Sequence, residues 1–169
     1  MADETSGKTG IEKEKIVRLL EAFNRHGVRY VIIGGWAVIL HGFVRTTMDI
    51  DLMVEPSPEN LERILKALRE FSKDESLEEL KTLDLTGYGV VRVAPEDFDI
   101  FIDLVWKIGP VDFYTAISNA EDAEMNGITV KVAGIDTLIE MKRTVRPKDQ
   151  MDLAFLMQKK KLLEEKNHG

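Results

Sequence analysis

A pair of aspartates inside an apolar strand pattern is the feature that most restricts how this chain folds. In "DIDLMV", residues 49–54, Asp49 and Asp51 alternate with Ile50 and Leu52. Side chains two apart on a strand point the same way. Asp49 and Asp51 therefore share one face, and Ile50 and Leu52 share the other. Two carboxylates about 4 Å apart repel by roughly 4 kcal/mol at an effective dielectric of 20. Such a pair is tolerated if one member is protonated, if cationic side chains neutralise it, or if a hard cation binds. Mg²⁺ suits the third case, since it takes one or two carboxylates together with water and phosphate oxygens.

Fifteen residues upstream, "VRYVIIGG" is an apolar strand ended by Gly34 and Gly35. Glycine lets a backbone approach a ligand closely. A helix beginning at Trp36 would present free N–H groups above the strand end, a place suited to phosphate. Taken alone, a Gly-Gly pair is better explained by a tight strand–helix turn. A third carboxylate would complete a site in which two cations hold the attacking and leaving oxygens. "FDIFIDLV", residues 98–105, supplies it. Asp99 and Asp103 fall on one face, and Asp103, between Ile102 and Leu104, is the deeper of the two, where an unpaired charge is costly.

The remaining patterns set the frame. Helices are expected at 11–26, with Ile16, Leu19, Leu20 and Phe23 in register, and at 57–71, with Ser57 as N-cap and Pro58 in first position. Further helices are expected over "WAVILHG", "DFYTAISNA", "IDTLIEMKRTV" and "KDQMDLAFLMQKKKLLEEK", the last two separated by Arg146-Pro147. Strands are expected over "YGVVRVA" and "FDIFIDLV", and Asn126-Gly127 marks a hairpin. Residues 72–86 are ambiguous. The order implies an α+β (mixed α/β) fold, a mixed sheet flanked by helices. Residues 1–10 form a polar, flexible N-terminal tail and 11–169 one domain.

Composition excludes several classes. No cysteine is present among the 169 residues, which rules out disulfides, thiolate zinc sites and thiol nucleophiles and fits a cytoplasmic location. No apolar run reaches the ~18 residues of a membrane span. The net charge is −7, yet residues 140–166 carry eight Lys/Arg against five Asp/Glu. An acidic body with one basic segment argues against general nucleic-acid coating and permits a local anion site.

Taken together, these residues resemble the nucleotidyltransferase superfamily of DNA polymerase β-like fold. Its sheet is mixed and mostly antiparallel. The nearer resemblance is to the AbiEii-like nucleotidyl transferase group. Its Gly-Gly-x-Ala, His-Gly and Arg-x-Thr-x-Asp-Ile-Asp-Leu elements are matched by Gly34, Gly35, Ala37, His41, Gly42, Arg45, Thr47, Asp49, Ile50, Asp51 and Leu52. Ile102-Asp103-Leu104, the helix Leu138 to Arg143 and the turn Arg146 to Asp152 match its later motifs. The resemblance spans about residues 12–158 and implies Mg²⁺-dependent (or Mn²⁺-dependent) transfer of a nucleoside monophosphate from an NTP to an acceptor, such as a tRNA or protein hydroxyl. It implies that Gly34 and Gly35 cradle the triphosphate, that Asp49 and Asp51 hold metal, and that Asp103 joins them and serves as base or orienter. Trp36 stands where many members of the superfamily carry a phosphate-binding Ser.

Other residues have two readings each. Lys142 reaches phosphate or, with Lys148, Asp149 and Asp152, ties two helices together; Arg143 and Lys148 are further phosphate candidates. Arg45 neutralises the aspartates or touches phosphate. Thr47 supports Asp49 by a hydrogen bond, His41 bridges the glycine helix to its neighbour, and Trp36 belongs to the core ahead of a surface that stacks on a base. Lys159 to Lys161 form a solvated helix end or guide an RNA. The rival to an enzyme is a non-catalytic nucleotide-binding module, one half of a toxin–antitoxin pair with a cognate toxin or antitoxin as partner.

Overall fold

The computed structural model describes residues 4–47, 49–86, 89–94, 98, 100–142 and 147–167, with backbone alone for 4–12 and 147–148. Helix α1 (Glu4–Arg25) buries Ile16, Leu19, Leu20 and Phe23, the stripe its 3.6-residue period dictates. Its backbone is helical from Glu4, ahead of the start expected at residue 11. Gly27, at φ +69°, turns the chain out of the helix and into β1 (Tyr30–Ile33), all four residues of which are buried. Helix α2 (Gly34–Leu40) follows without a linker, and β2 (Asp49–Val54) runs back antiparallel to β1. Ser57 caps α3 (Pro58–Leu68) by accepting from the Asn60 N–H at 3.2 Å.

A 3-10 segment at Glu75–Thr82 fills most of the stretch that the sequence left ambiguous and buries Leu77 and Leu80. Strands β3 (Gly89–Val93), β4 (Phe101–Ile108) and the two-residue β5 (Val111–Asp112) come next. Helix α4 (Phe113–Ser118), strands β6 (Glu121–Met125) and β7 (Ile128–Val132), and helices α5 (Ile135–Met141) and α6 (Pro147–Asn167) complete the chain. Asn126 and Gly127, at φ +47° and +88°, make the hairpin turn between β6 and β7. Pro147 opens α6, as proline does at a first helical position.

The sheet order is β3-β4-β2-β1-β7-β6, with β5 paired to β4. β2–β4 and β1–β7 are parallel; the other pairs are antiparallel, so the expected mixed, mostly antiparallel sheet is present. One consequence governs everything that follows. Because β2 and β4 run parallel and in register, Asp51 lies directly beside Asp103, and Asp49 beside Phe101. On the other face Ile50, Leu52, Ile102 and Leu104 are fully buried. Each of these pairs removes apolar area worth about 25 cal/mol per Å², which fixes the register and with it the carboxylates.

Candidate active site

Neighbouring positions across a sheet put their side chains on the same face. Across three strands, Arg92 on β3 opposes Asp103 on β4, which opposes Asp51 on β2. Asp51 in turn opposes Ile33 at the end of β1, and Gly34 follows it. Asp51 and Asp103 thus lie side by side next to the glycine turn, and Asp49 lies two residues along β2 on the same face, opposite Phe101. Asp99 lies outside the described residues.

Gly34 is required there. Its φ is +68°, and a Cβ would sit 2.1 Å from Asp51 Oδ2. At Gly35 a Cβ would come within 3.0 Å of Thr47 Oγ1. The two glycines therefore make room for site side chains as well as opening the turn. Thr47 Oγ1 lies 3.4 Å from the Asp49 carbonyl oxygen, the supporting contact expected of it. Trp36 is buried in the core, where its indole N–H has no hydrogen-bond acceptor among the described residues. His41 Nε2 lies 2.8 Å from the Ala133 carbonyl and joins α2 to the end of β7.

A cavity of about 340 Å³ opens over this row, lined by Gly34, Asp51, Asp103, Lys142 and Asp149 at its polar end. Val90, Val105, Ile108 and Met141 form the apolar end. A volume of this size suits a small ligand, and an apolar wall with a few convergent polar groups is the usual form of such a site. A second cavity of about 370 Å³, over Leu61, Leu83 and Leu85, brings only Glu62 and Lys81 as charged groups and no carboxylate cluster.

Electrostatics single out Asp51. Burial pushes its carboxyl up to about 7, helped by the hydrogen bond with Asp103 and by the charges of Asp103 and Asp49; the Lys142 ammonium opposes the rise. Asp51 thus relieves the repulsion between the two carboxyls by keeping its own proton toward neutral pH.

Lys142 is held at the cavity wall by an ion-pair network. Its Nζ lies 3.2 Å from Asp149 Oδ1 and 3.1 Å from Asp152 Oδ2. Arg45 Nη1 reaches the same Asp152 oxygen at 2.5 Å. All four side chains are at most 12% exposed, so the charges are paired rather than solvated. Of the two readings of Arg45, neutralising Asp49 and Asp51 is not the one the geometry takes; Arg45 serves Asp152. The helix tie expected of Lys142, Asp149 and Asp152 is present, and Lys142 also faces the cavity. The side chain of Lys148, and residues Arg143 and Arg146, lie outside the described residues.

Arg92 escaped the sequence reading. Its Nε lies 2.9 Å from Asp103 Oδ1, and its Nη2 lies 3.1 Å from both Asp103 Oδ2 and Asp49 Oδ2. Its guanidinium rests 4.8 Å from the ring centre of Phe101, which is 44% exposed. The Val-Arg-Val alternation of β3 showed a cation on one strand face, but nothing local showed which strand lies beside it.

The carboxylates offer the hard oxygen donors that a divalent cation prefers, and Gly34 leaves open the space around Asp51. No group of three acidic or histidine side chains among the described residues is disposed to hold a metal ion, and Arg92 lies across Asp49 and Asp103.

This arrangement of a mixed sheet, a glycine turn and in-register aspartates defines a nucleotidyltransferase fold. The chain belongs to the family described as "Nucleotidyltransferase of unknown function (DUF6036)", whose model matches residues 13–116. Among solved structures it resembles a Thermotoga maritima protein described as a nucleotidyltransferase, at 14% identity and TM-score 0.51, covering 92% of this chain and 94% of that one. It also resembles ANT(2")-Ia in complex with adenylyl-2"-tobramycin, at 16% identity and TM-score 0.57, covering 88% and 89%. At such identities the likeness concerns the fold. No curated protein matches the sequence. No described helix is long and apolar enough to cross a membrane.

Proposed function

We propose that this protein transfers a nucleoside monophosphate from an NTP to an acceptor hydroxyl, with Mg²⁺ (or Mn²⁺) held by Asp49, Asp51 and Asp103. The observation that carries the reading is the register of Asp51 beside Asp103, one residue row from Gly34, with the Lys142 ammonium in the same cavity. The acceptor oxygen bonds to the α-phosphorus, the bond to the β-phosphate bridging oxygen breaks, and pyrophosphate leaves. Asp103 takes up the acceptor proton as the hydroxyl attacks, from its place beside Asp51. The triphosphate lies over Gly34 and Gly35, and Lys142 supplies a point charge toward it, fixed by Asp149 and Asp152. When bound, the cation neutralises charge on the phosphates and polarises them toward attack. Arg45 acts at one remove, by holding Asp152.

The motif resemblance to the AbiEii-like group supports an RNA or protein acceptor. The adenylyl-tobramycin complex of ANT(2")-Ia makes aminoglycosides a third class to assay. Each α-labelled NTP, incubated with Mg²⁺ and with tRNA, total protein or aminoglycosides, identifies both substrates. Transfer lost in Asp51→Asn supports the reading, and absence of transfer with every NTP and acceptor counts against it.

A second reading, a nucleotide-binding module without transferase activity, within or outside a toxin–antitoxin pair, draws support from Arg92 occupying the carboxylates and from Trp36 in place of Ser. Metal-dependent NTP binding without transfer would favour it.

A further inference from the structure

We propose that Arg92 is the resident counter-cation of the aspartate cluster and that it must swing away before a divalent cation enters. The inference rests on the metal reading above and adds to it a gate built from this chain's own residues.

Three observations converge on it. Arg92 engages two of the three carboxylates, through two nitrogens and three oxygens at 2.9–3.1 Å. A fork-shaped guanidinium matched to Asp103 occupies the position from which a metal would bind both its oxygens. It does so from solvent, since the Arg92 side chain is 52% exposed while Asp103 is only 12% exposed. The residue therefore has somewhere to go. Half of its side chain already lies in solvent, so leaving the cluster gives up only part of its burial, and the buried partner is the one that needs a cation at all times. Phe101, the sheet neighbour of Asp49, presents an exposed ring on which the guanidinium rests at 4.8 Å. The ring thus steadies the guanidinium in the same pose in which it engages the carboxylates. Arg45 and Lys142 cannot play this part, because they are buried and committed to Asp152 and Asp149.

The exchange makes two species exclusive: Arg92 on Asp49 and Asp103, or a cation there. Metal affinity in the absence of nucleotide is then set by competition with a tethered cation. The apo cluster is never left uncompensated, which also protects the fold when metal is scarce.

The experiment titrates Mn²⁺ into metal-free wild type and Arg92→Gln and follows free Mn²⁺ by electron paramagnetic resonance, with no nucleotide present. An exposed pair of this kind contributes up to about fivefold in affinity, so Arg92→Gln should bind Mn²⁺ tighter by up to about fivefold, and Arg92→Lys, which keeps charge without the fork, should fall between. Phe101→Ala, which removes the seat without touching the carboxylates, should shift affinity in the same direction as Arg92→Gln. Circular dichroism confirms folding in each case. Equal Mn²⁺ affinity in wild type and Arg92→Gln, or weaker binding in the variant, overturns the gate and leaves the metal site standing. No Mn²⁺ binding by either protein, or binding that survives Asp51→Asn undiminished, overturns the metal reading itself and the gate with it.

Discussion

Replacing Asp51 with asparagine should stabilise the metal-free protein at alkaline pH. The Asp51 carboxyl ordinarily releases its proton near 3.8, as it does in the unfolded chain; in the fold it keeps it to about 7. Between those values the folded state binds the extra proton, so stability falls as pH rises through the window. The loss is absent below about pH 4 and complete above about pH 8. A shift of roughly three units at 1.36 kcal/mol each sets a ceiling of about 4 kcal/mol. Asparagine keeps the neutral form and can donate to Asp103, so it escapes the loss. Urea unfolding of both proteins with a chelator present, at a series of pH values, measures the difference directly. The stability of Asp51→Asn minus that of wild type should start near zero at about pH 4, climb through pH 5–7 and level off. Subtracting the two curves removes the carboxylates remote from Asp51 and leaves the cluster it forms with Asp103 and Asp49. A flat difference, or an asparagine variant less stable than wild type at pH 8, would refute the reasoning. Sites that keep a destabilising charge for function behave in this way.

Three other substitutions have clear outcomes. Gly34→Ala forces a Cβ into the left-handed region and onto Asp51 Oδ2; it should cost at least about 2 kcal/mol in urea unfolding and abolish nucleotide binding, while Gly127→Ala, with open space around its Cβ, should cost about 1 kcal/mol and leave binding intact. Lys142→Met leaves Asp149 and Asp152 without their shared ammonium; breaking a buried pair this way should lower stability by roughly 3–5 kcal/mol, read by thermal unfolding. Trp36→Phe removes a buried N–H without an acceptor; it should fall within about 1 kcal/mol of wild type and leave nucleotide binding unchanged, against the expectation for a residue that stacks on substrate.

What the sequence discloses about this site follows from how far each signal reaches. Alternation along a strand fixes which way Asp49, Asp51 and Asp103 point relative to their aliphatic neighbours, because that depends only on the pleat. It does not say that β2 and β4 are adjacent, parallel and in register; that is decided by burial of Ile50, Leu52, Ile102 and Leu104 against the rest of the core. Arg92 was hidden for the same reason: its meaning comes from the strand beside it. Arg45 reads from the sequence as a partner of the nearest aspartates or of phosphate, and Asp152, more than a hundred residues away, takes it because a carboxylate 1% exposed needs a cation more than a partly solvated one does. The glycine turn was legible as a place of close approach, though the side chains approaching it include the protein's own Asp51 and Thr47. Strand β5 is two residues long, too short to leave a periodic trace.

The central claim is that Asp49, Asp51 and Asp103 converge on a divalent cation next to a bound triphosphate. Its most direct measurement is an anomalous difference map from crystals grown with Mn²⁺ and a non-hydrolysable NTP analogue. The account predicts a manganese peak between the three carboxylates, with Arg92 withdrawn from Asp103 and triphosphate density running over Gly34 toward Lys142. A map with the analogue bound elsewhere, or with Arg92 still joined to Asp49 and Asp103 and no peak beside them, would contradict it.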